Sequence, residues 1–497
     1  MKRVITILTL FFAVSISSQA QDLADVLRFS NFKVQGTARA GGMGNAFGAL
    51  GGDFTSVSIN PAGMGLYRSS ELVFTPSFGH NSIESTYRNN LMSDSKYNFT
   101  FNNLSYVTAL PTSNQGETGL ISINVGIGFN RLKDFNSTAL AGAKNMNGSI
   151  MDYFADNATV GTWSDFYEQL AWDTDLLLYD EDNDVYWHDI EEDGYGQSQR
   201  KSFSRQGYIN EYSVVAGLNL NHKLYLGVSL GIIDAYYKES TELREWDEQN
   251  NIQYFNELQF DTYLRTNGTG YNGKLGVIYK PVNEVRLGVS IATPTFFNMS
   301  DVFETTMHSS VTYEDGSETY KKVSPYSEYD YDLETPLKAT LSGALVFANK
   351  GLLSIDYEFN NFGSARLRRG GDGYNFIDEN NDIADVFRST GNLRIGGELM
   401  ATDNVSFRAG FEHYPSPYNS QALGANQPNA DAKLNVFSAG LGYRTGGFFF
   451  DVAYRYSKEN YFDSLYPAPP TDFYQKPEMA EFENIKNNVV FTLGFKF

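Results

Sequence analysis

Acidic residues at a short, regular spacing are the first feature of this sequence that suggests chemistry. Asp180, Asp182 and Asp184 alternate with other residues, and Glu191 follows Asp180 after eleven positions. This spacing imitates a calcium-binding loop, in which carboxylate oxygens surround a hard cation. Such a loop needs glycine at the position that Val185 occupies, so an acidic, solvated loop is the competing interpretation.

Histidine, serine and cysteine offer no visible catalytic apparatus. No two histidines have metal-ligand spacing, no serine lies in a nucleophile motif, and cysteine is absent. We therefore predict that the protein is not an enzyme and needs no cofactor. Four of the five histidines fall in or beside predicted outer loops, so axial ligation of heme stays an alternative. The five are His80, His188, His222, His308 and His413.

Charged residues also alternate with apolar ones, as Arg394 and Glu398 do with Leu393, Ile395 and Leu399. A period of two places the charges on one face of a strand, and in a transmembrane barrel that face lines the lumen. We expect a ladder of charges that pair with one another and with a plug, and substrate contact is the alternative. Its members are Asp356, Glu358, Arg394, Glu398, Arg408, Glu412, Asp451 and Arg455.

The two ends of the chain indicate export and insertion into an outer membrane. Residues 1–20 combine Lys2 and Arg3, an apolar run and a small-residue end, which is the pattern of a secretory signal peptide. The last nine residues alternate apolar with other residues and end in Phe497. A final strand of this kind resembles the signal read by the barrel assembly machinery, which we expect as a partner.

Composition favours a transmembrane barrel over other classes. The chain has 33 Tyr, 37 Phe and 45 Gly, and its mean hydropathy of −0.36 excludes a bundle of membrane-spanning helices. A low mean hydropathy does not exclude a transmembrane barrel, because only alternate residues of each barrel strand must be apolar. The net charge of −21 argues against a nucleic-acid partner.

Turns and loops allow the strands to be counted. Alternating segments are joined by short connections, taken as periplasmic turns, and by long polar ones, taken as extracellular loops. A simple count gives fifteen strands, and joining 253–267 to 270–280 through Gly268 restores the even number that a barrel with both ends in the periplasm requires. We predict an all-β fold, a 14-stranded antiparallel transmembrane β-barrel, with a kink or bulge near Gly268 and Gly270.

The residues before the first strand do not read as membrane strand. Residues 36–66 are rich in glycine, which indicates close backbone approach rather than a pleated surface. We predict a signal peptide at 1–20, an N-terminal hatch at 21–66 that plugs the barrel, and the barrel at 67–497. Asp22 to Ser30 is interpreted as a short helix facing the periplasm.

This small-residue stretch, with Asn60, Pro61, Ala62, Gly63 and Met64 just before the first strand, resembles the long-chain fatty-acid transporter (FadL/TodX) family. Later segments such as 395–398, 407–411 and 439–444 resemble the family as well, so that the likeness covers nearly the whole mature chain. Residues 38–44 and 49–53 look like the branch found in Bacteroidetes, whose members are often labelled hemin receptors.

The resemblance implies a fourteen-stranded barrel, a hatch inside it and diffusion of hydrophobic ligands toward a lateral opening. Asn60, Pro61, Ala62 and Gly63 would hold the hatch. In family members the loop after the third strand helps build an outer hydrophobic groove. Here that loop suggests helices over 149–155 and 162–178, and the groove candidates are Trp163, Phe166, Tyr167 and Leu170; packing onto neighbouring loops is the equal alternative.

The sequence therefore predicts passive transport of small hydrophobic molecules, such as long-chain fatty acids, through the outer membrane of a Gram-negative cell. The ligand and outer-membrane lipid are the expected partners. Two alternatives stay open: a docking protein similar to the shuttle protein of type IX secretion, and a heme receptor.

Overall fold

The structure, a computed structural model, describes residues 23–112, 118–347, 350–422 and 425–497. The predicted signal peptide at 1–20 lies outside these residues. Within them, fourteen long strands form one closed antiparallel barrel, as predicted. The seam is closed by pairing between the first and last strands, in which Glu71 lies opposite Lys496.

The wall strands are numbered β1 to β14 in chain order. They are β1 Glu71–Tyr87, β2 Asn90–Pro111, β3 Leu120–Asp134 (continued by Ser137–Ala143), β4 Ser198–Leu220, β5 Leu224–Trp246, β6 Phe255–Val282, β7 Val285–Ala292 with Phe296–Tyr313, β8 Ser327–Glu334 with Lys338–Phe347, β9 Gly351–Asn361, β10 Ser389–Met400, β11 Val405–Pro415, β12 Lys433–Thr445, β13 Phe448–Ser464 and β14 Met479–Lys496.

Short elements occupy the loops and the lumen. The helices are α1 Leu23–Ser30, α2 Ala38–Gly42, α3 Ile150–Thr159, α4 Glu168–Trp172, α5 Asp189–Glu192 and α6 Ile377–Val386, with 3-10 turns at Phe54–Ser58, Pro61–Leu66 and Phe362–Ser364. The loop strands are Leu178–Asp180, Val185–Trp187, Gly316–Val323, Arg366–Arg368, Gln421–Ala422 and Ala425–Asn426. No helix in the described ranges has the length and apolar character of a membrane span.

Strand β6 confirms the parity argument, because it runs unbroken for 28 residues. Its pairing with β5 shows no register shift at Gly268 or Gly270, so the predicted kink or bulge there is wrong. Both glycines instead make room for side chains of β7, since an added Cβ would lie 2.5 Å from Met299 Sδ and 2.7 Å from Phe297 Cδ1.

The outer surface of the wall is an apolar belt. On β5 the exposed apolar residues are Val228, Leu230 and Ile232, and they alternate with buried residues such as Ser229. Leu230 has 68 % of its surface exposed. So continuous an exposed apolar surface suits lipid rather than water.

Long strands extend beyond the belt, and their ends support a compact cluster of loops. Met151 and Phe154 of α3 and Leu170 of α4 are buried there against strand residues such as Phe260 and Met307. Helix α3 begins at the capping box of Ser149 and runs past the predicted end. The helix predicted over 162–178 is wrong except for α4, because a turn stabilised by the Ser164 hydroxyl, which accepts from the Phe166 N–H, occupies its first part.

A charge at the middle of the belt should destabilise the barrel. Leu230→Arg places a guanidinium in the apolar layer, and we expect a loss of about 2–4 kcal/mol in the free energy of unfolding, measured with urea in lipid vesicles. Leu72→Arg, at the rim next to the carboxyl terminus, is the matched control and should cost about 1 kcal/mol or less. Equal losses would contradict the assignment of the belt.

Candidate functional site

The N-terminal segment, residues 23–66, packs against the inward-facing side of the wall. Its first element, α1, is amphipathic, and its buried face includes Val26 and Phe29. The Phe29 ring packs edge-on against Phe135 and Tyr237, 6.2 and 6.3 Å away, in the outer half of the lumen. The helix predicted over 22–30 is present from Leu23 to Ser30, and residue 22 lies outside the described residues. Its predicted position facing the periplasm is wrong, because the apolar face of the helix packs against the wall.

Residues 38–66 contact the wall through their backbone at several places, in addition to side-chain contacts. Where they approach, the inward-facing wall residues are glycines. A Cβ at Gly288 would lie 2.5 Å from the Gly48 carbonyl oxygen, and one at Gly410 would collide with the Gly44 backbone nitrogen. We call these wall glycines the glycine seat: Gly217, Gly227, Gly276, Gly288, Gly396 and Gly410.

Asn60 attaches the segment to the wall at the glycine seat. Its Oδ1 accepts from the Ala62 N–H at 3.1 Å and starts the 3-10 turn in which Pro61 is the first residue. Its Nδ2 donates to the carbonyl oxygens of Gly48, at 2.7 Å, and of Val277 in β6, at 3.2 Å. The Gly63 carbonyl accepts from Gly52 at 3.1 Å, which folds the segment on itself. The hydrogen bonds of the predicted hatch motif therefore hold the N-terminal segment together and attach it to the wall.

Charged side chains link the segment to the inner wall. The Arg39 guanidinium donates two hydrogen bonds of 3.0 Å to the carboxylate of Glu398. Arg408 lies 2.6 Å from both Glu398 and Asp451. All four side chains are largely buried, and buried charges persist only when they are paired in this way. Sequence reasoning missed Arg39, although a lone cation in a run of small residues was a visible signal.

The rest of the ladder follows the same arrangement on other strands. Asp356 accepts from the Gly48 N–H at 3.0 Å, and Arg394 lies 3.2 Å from Glu358. Glu412 pairs with Arg455 at 2.6 Å and accepts from Asn45 Nδ2 at 3.3 Å. The structure thus brings all eight predicted ladder residues together in pairs, and several pairs hold the segment.

The predicted outer groove lies within the loop cluster. Trp163 Nε1 donates to Gln169 at 3.0 Å, and the Phe166 ring lies 5.7 Å from Phe303 of β7. The Tyr167 ring lies 6.0 Å from the Phe260 ring, and Leu170 is only 3 % exposed. The four residues are neighbours, as expected, but they pack against other loops and strands as the alternative interpretation described. Burial also raises the pKa of the Glu168 carboxyl in α4.

The candidate calcium ligands do not converge. Asp180 accepts from the Asp182 N–H at 2.9 Å within a hairpin turn, Asp184 accepts from Tyr179 at 2.6 Å, and Glu191 accepts from Tyr474 at 2.8 Å. Within the described ranges no group of three histidine or acidic side chains is arranged to hold a metal ion.

The histidines are dispersed as well. His188 is 1 % exposed and its Nε2 lies 3.0 Å from Asp152 Oδ1. The other four lie on β1, β7, β11 and the turn before β5.

Two small cavities flank the extended residues 31–35. One, of about 50 Å³, lies between these residues, residues 58–59 and the inner faces of β6, β7, β8 and β10. The other, of about 160 Å³, lies toward β3 and β11 to β14. Sites for drug-sized ligands usually measure about 300–1,000 Å³, so a long apolar molecule does not fit either cavity in this conformation.

The wall is interrupted beside the first cavity. β7 is broken at 293–295 and β8 at 335–337, and Pro294 and Pro336 lack the N–H that a ladder needs. The two breaks are adjacent, since the Thr335 N–H donates to the Thr295 carbonyl at 3.0 Å and the Thr295 N–H donates to the Thr335 hydroxyl at 2.9 Å. Side-chain hydroxyls thus replace part of the ladder at one place in the wall.

Removing one charge from the ladder should loosen the segment. Glu398→Gln leaves the Arg39 and Arg408 guanidinium groups without their shared anion, and breaking a buried ion pair costs about 3–5 kcal/mol. We expect larger or more frequent conductance events in planar lipid bilayers. Glu248→Gln, which affects an exposed pair with Lys144, is the control. Unchanged conductance in Glu398→Gln would show that this pair does not hold the segment.

Several solved structures share this architecture. A FadL homologue of Pseudomonas aeruginosa has a TM-score of 0.55 and 12% identity over 94% of this chain and 99% of that chain. The toluene transporter TodX of Pseudomonas putida has a TM-score of 0.52 and 13% identity over 93% and 98%. No family model and no curated protein matches the chain. The chain therefore shares the fold of the FadL/TodX-type barrels, which agrees with the sequence resemblance.

Proposed function

We propose that this protein is an outer-membrane channel for small hydrophobic molecules, with long-chain fatty acids as the representative substrate. The observation that carries the proposal is the combination of a closed barrel, an apolar belt outside it and the N-terminal segment in its lumen. The P. putida neighbour is a toluene transporter, which supports a hydrophobic ligand for this protein.

An outer-membrane location is part of this proposal. A signal peptide at 1–20 would export the protein, and the final strand β14, with Phe497 after it, would be recognised by the assembly machinery. The apolar belt would then face membrane lipid.

In this proposal the N-terminal segment is the hatch that closes the channel. Because the two cavities are too small for an apolar chain, a ligand passes only when residues 31–37 or other parts of the hatch move. Desolvation of the ligand's apolar surface drives its binding, so no external energy source is required.

In this proposal the ligand leaves the barrel through the break in the wall at 293–295 and 335–337. Backbone groups facing lipid must be paired within the protein, and at 293–295 and 335–337 part of the pairing depends on threonine hydroxyls instead of the ladder. Separating β7 from β8 there disrupts fewer ladder bonds than elsewhere. The first cavity reaches this place, since Thr295 and Pro336 line it.

A disulfide lock tests the channel and its exit together. The chain has no cysteine, so Thr295→Cys with Thr335→Cys introduces one defined pair. The variant is produced in a Gram-negative host without its own fatty-acid channel, and with the cysteines reduced we expect these cells to take up a radiolabelled long-chain fatty acid. Oxidation of the pair should reduce uptake at least tenfold, and reduction should restore it.

The control is Val73→Cys with Ser105→Cys, which crosses an intact part of the wall between β1 and β2. Oxidising it should leave uptake unchanged. Absence of uptake by the unmodified protein would refute the channel, as would a stoichiometric porphyrin or protein partner in the purified material. Uptake that persists in the oxidised Thr295 and Thr335 variant would refute only the exit.

The aromatic residues of the outer loop are the proposed capture site. Trp163→Ser with Phe166→Ser removes two large apolar surfaces, one beside Tyr186 and one beside Phe303. It should lower uptake several-fold at limiting ligand, while the heat-modifiable gel shift of a folded barrel persists. Unchanged uptake would mean that these residues only pack the loops. Exposed Phe473→Ser is the control.

A further inference from the structure

Positive charge gathers at the end of the lumen where the short turns lie. The chain has 38 basic and 59 acidic residues, yet four basic side chains come together beside β5, β6 and β7. We call them the mouth cluster: Arg68 just before β1, Lys223 just before β5, Lys280 near the end of β6 and Arg286 near the start of β7.

Backbone pairing and electrostatic contact show that the four side chains are neighbours. The Lys280 N–H donates to the Lys223 carbonyl at 2.7 Å, so the two lysines are adjacent across β5 and β6. The charges of Arg68 and Arg286 act on Lys280 and on each other. Like charges on neighbouring strands destabilise a sheet, so the cluster costs stability unless an anion lies beside it.

Few acidic groups oppose this charge. Glu284, exposed in the turn between β6 and β7, is the carboxylate that acts on Lys280. Glu71 pairs with Lys496 instead, at 3.3 Å. In the part of the chain that the structure describes, no carboxylate forms an ion pair with the cluster, and Arg286 Nε is buried without an acceptor.

The cluster faces the mouth of the lumen rather than the membrane. Lys280 shares the inward face of β6 with the buried Ile278, and Arg286 Nη1 donates to the Leu50 carbonyl of the N-terminal segment at 2.8 Å. Neighbouring strands lie about 4.8 Å apart, so a cluster over three strands is wider than one carboxylate or phosphate. A row of acidic side chains matches this width.

We propose that the mouth cluster is a docking surface for an acidic segment of a periplasmic protein. The inference rests on the proposed function only for the side of the membrane on which the short turns lie. Complementary charge steers encounter and fixes the orientation of the partner. Because the whole chain carries −21, its other surfaces repel such a segment, which confines binding to this place.

Arg286 connects this surface to the hatch. Its hydrogen bond to the Leu50 carbonyl holds the hatch at the periplasmic end of the lumen. A carboxylate of the partner competes for the same guanidinium and makes the stronger, charge-assisted hydrogen bond. Docking therefore loosens the hatch where a transported molecule would leave for a receiving protein.

An acidic peptide tests the docking surface. Purified protein in a nonionic detergent is titrated into fluorescently labelled octaglutamate at low ionic strength, and fluorescence anisotropy reports binding. We expect the wild type to bind the peptide despite the like net charge. Arg68→Gln with Lys280→Gln should weaken binding at least tenfold, because two of the complementary charges are lost. The heat-modifiable gel shift should show that this variant is folded.

Lys321→Gln with Lys350→Gln removes two exposed charges elsewhere and is the matched control, which should bind as the wild type does. Absence of binding by the wild type, or equal binding by the Arg68 and Lys280 variant, would overturn the docking surface. Displacement of the peptide by inorganic phosphate or by dihexanoylphosphatidylglycerol at constant ionic strength would identify a site for small anions or lipid headgroups and overturn the assignment to a protein segment.

The competition for Arg286 has its own measurement. In planar lipid bilayers, octaglutamate should raise the frequency of conductance events when it is added on one side of the membrane only. Unchanged conductance with bound peptide would overturn the competition. Peptide binding does not require transport, so intact peptide binding without fatty-acid uptake would refute the proposed function and leave the docking surface standing.

Discussion

The close contact between the backbone of the N-terminal segment and the backbone of the wall at the glycine seat is the constraint on which the rest of the structure depends. Each peptide group buried at the glycine seat must find a hydrogen-bond partner, since little water reaches it. The segment meets this demand with Asn60 and the Gly48 N–H, which bonds Asp356. Close approach therefore requires small residues on both surfaces and polar side chains at the few points between them.

The charge ladder follows from that constraint. Once the segment fills the lumen, charges that water would otherwise solvate have to neutralise one another. Arg39, Glu398, Arg408 and Asp451 do so as a chain of alternating sign that starts on the segment and ends on β13. The first cavity lies beside the break in the wall, so open space in the lumen adjoins the place where the ladder of hydrogen bonds is interrupted.

Much of the fold could be predicted from the sequence because a barrel obeys simple rules. Alternation gave the facing of Arg394 and Glu398, and the parity of the turns gave fourteen strands with β6 unbroken. The failures share a cause, which is that tertiary contacts override local pattern. Helix α1 packs against the inner wall because Phe29 contacts aromatic residues there, such as Phe135. Residues 162–167 form a turn because their aromatic side chains pack against neighbouring segments, as Phe166 does against Phe303. The adjacency of Pro294 and Pro336 needed the register of β7 and β8, which no local signal supplies.

The seam between β1 and β14 joins residues at opposite ends of the sequence, Glu71 and Lys496 among them. Pairing of such high contact order forms late, when most of the wall is complete. Residue 66 precedes β1 by only a few positions, and α1 lies far up the lumen, so the segment is enclosed by the same event that joins the two strands. Docking of the segment and closure of the seam then become one cooperative step in assembly, and a variant that weakens the glycine seat should slow insertion of the whole barrel rather than only loosen its interior.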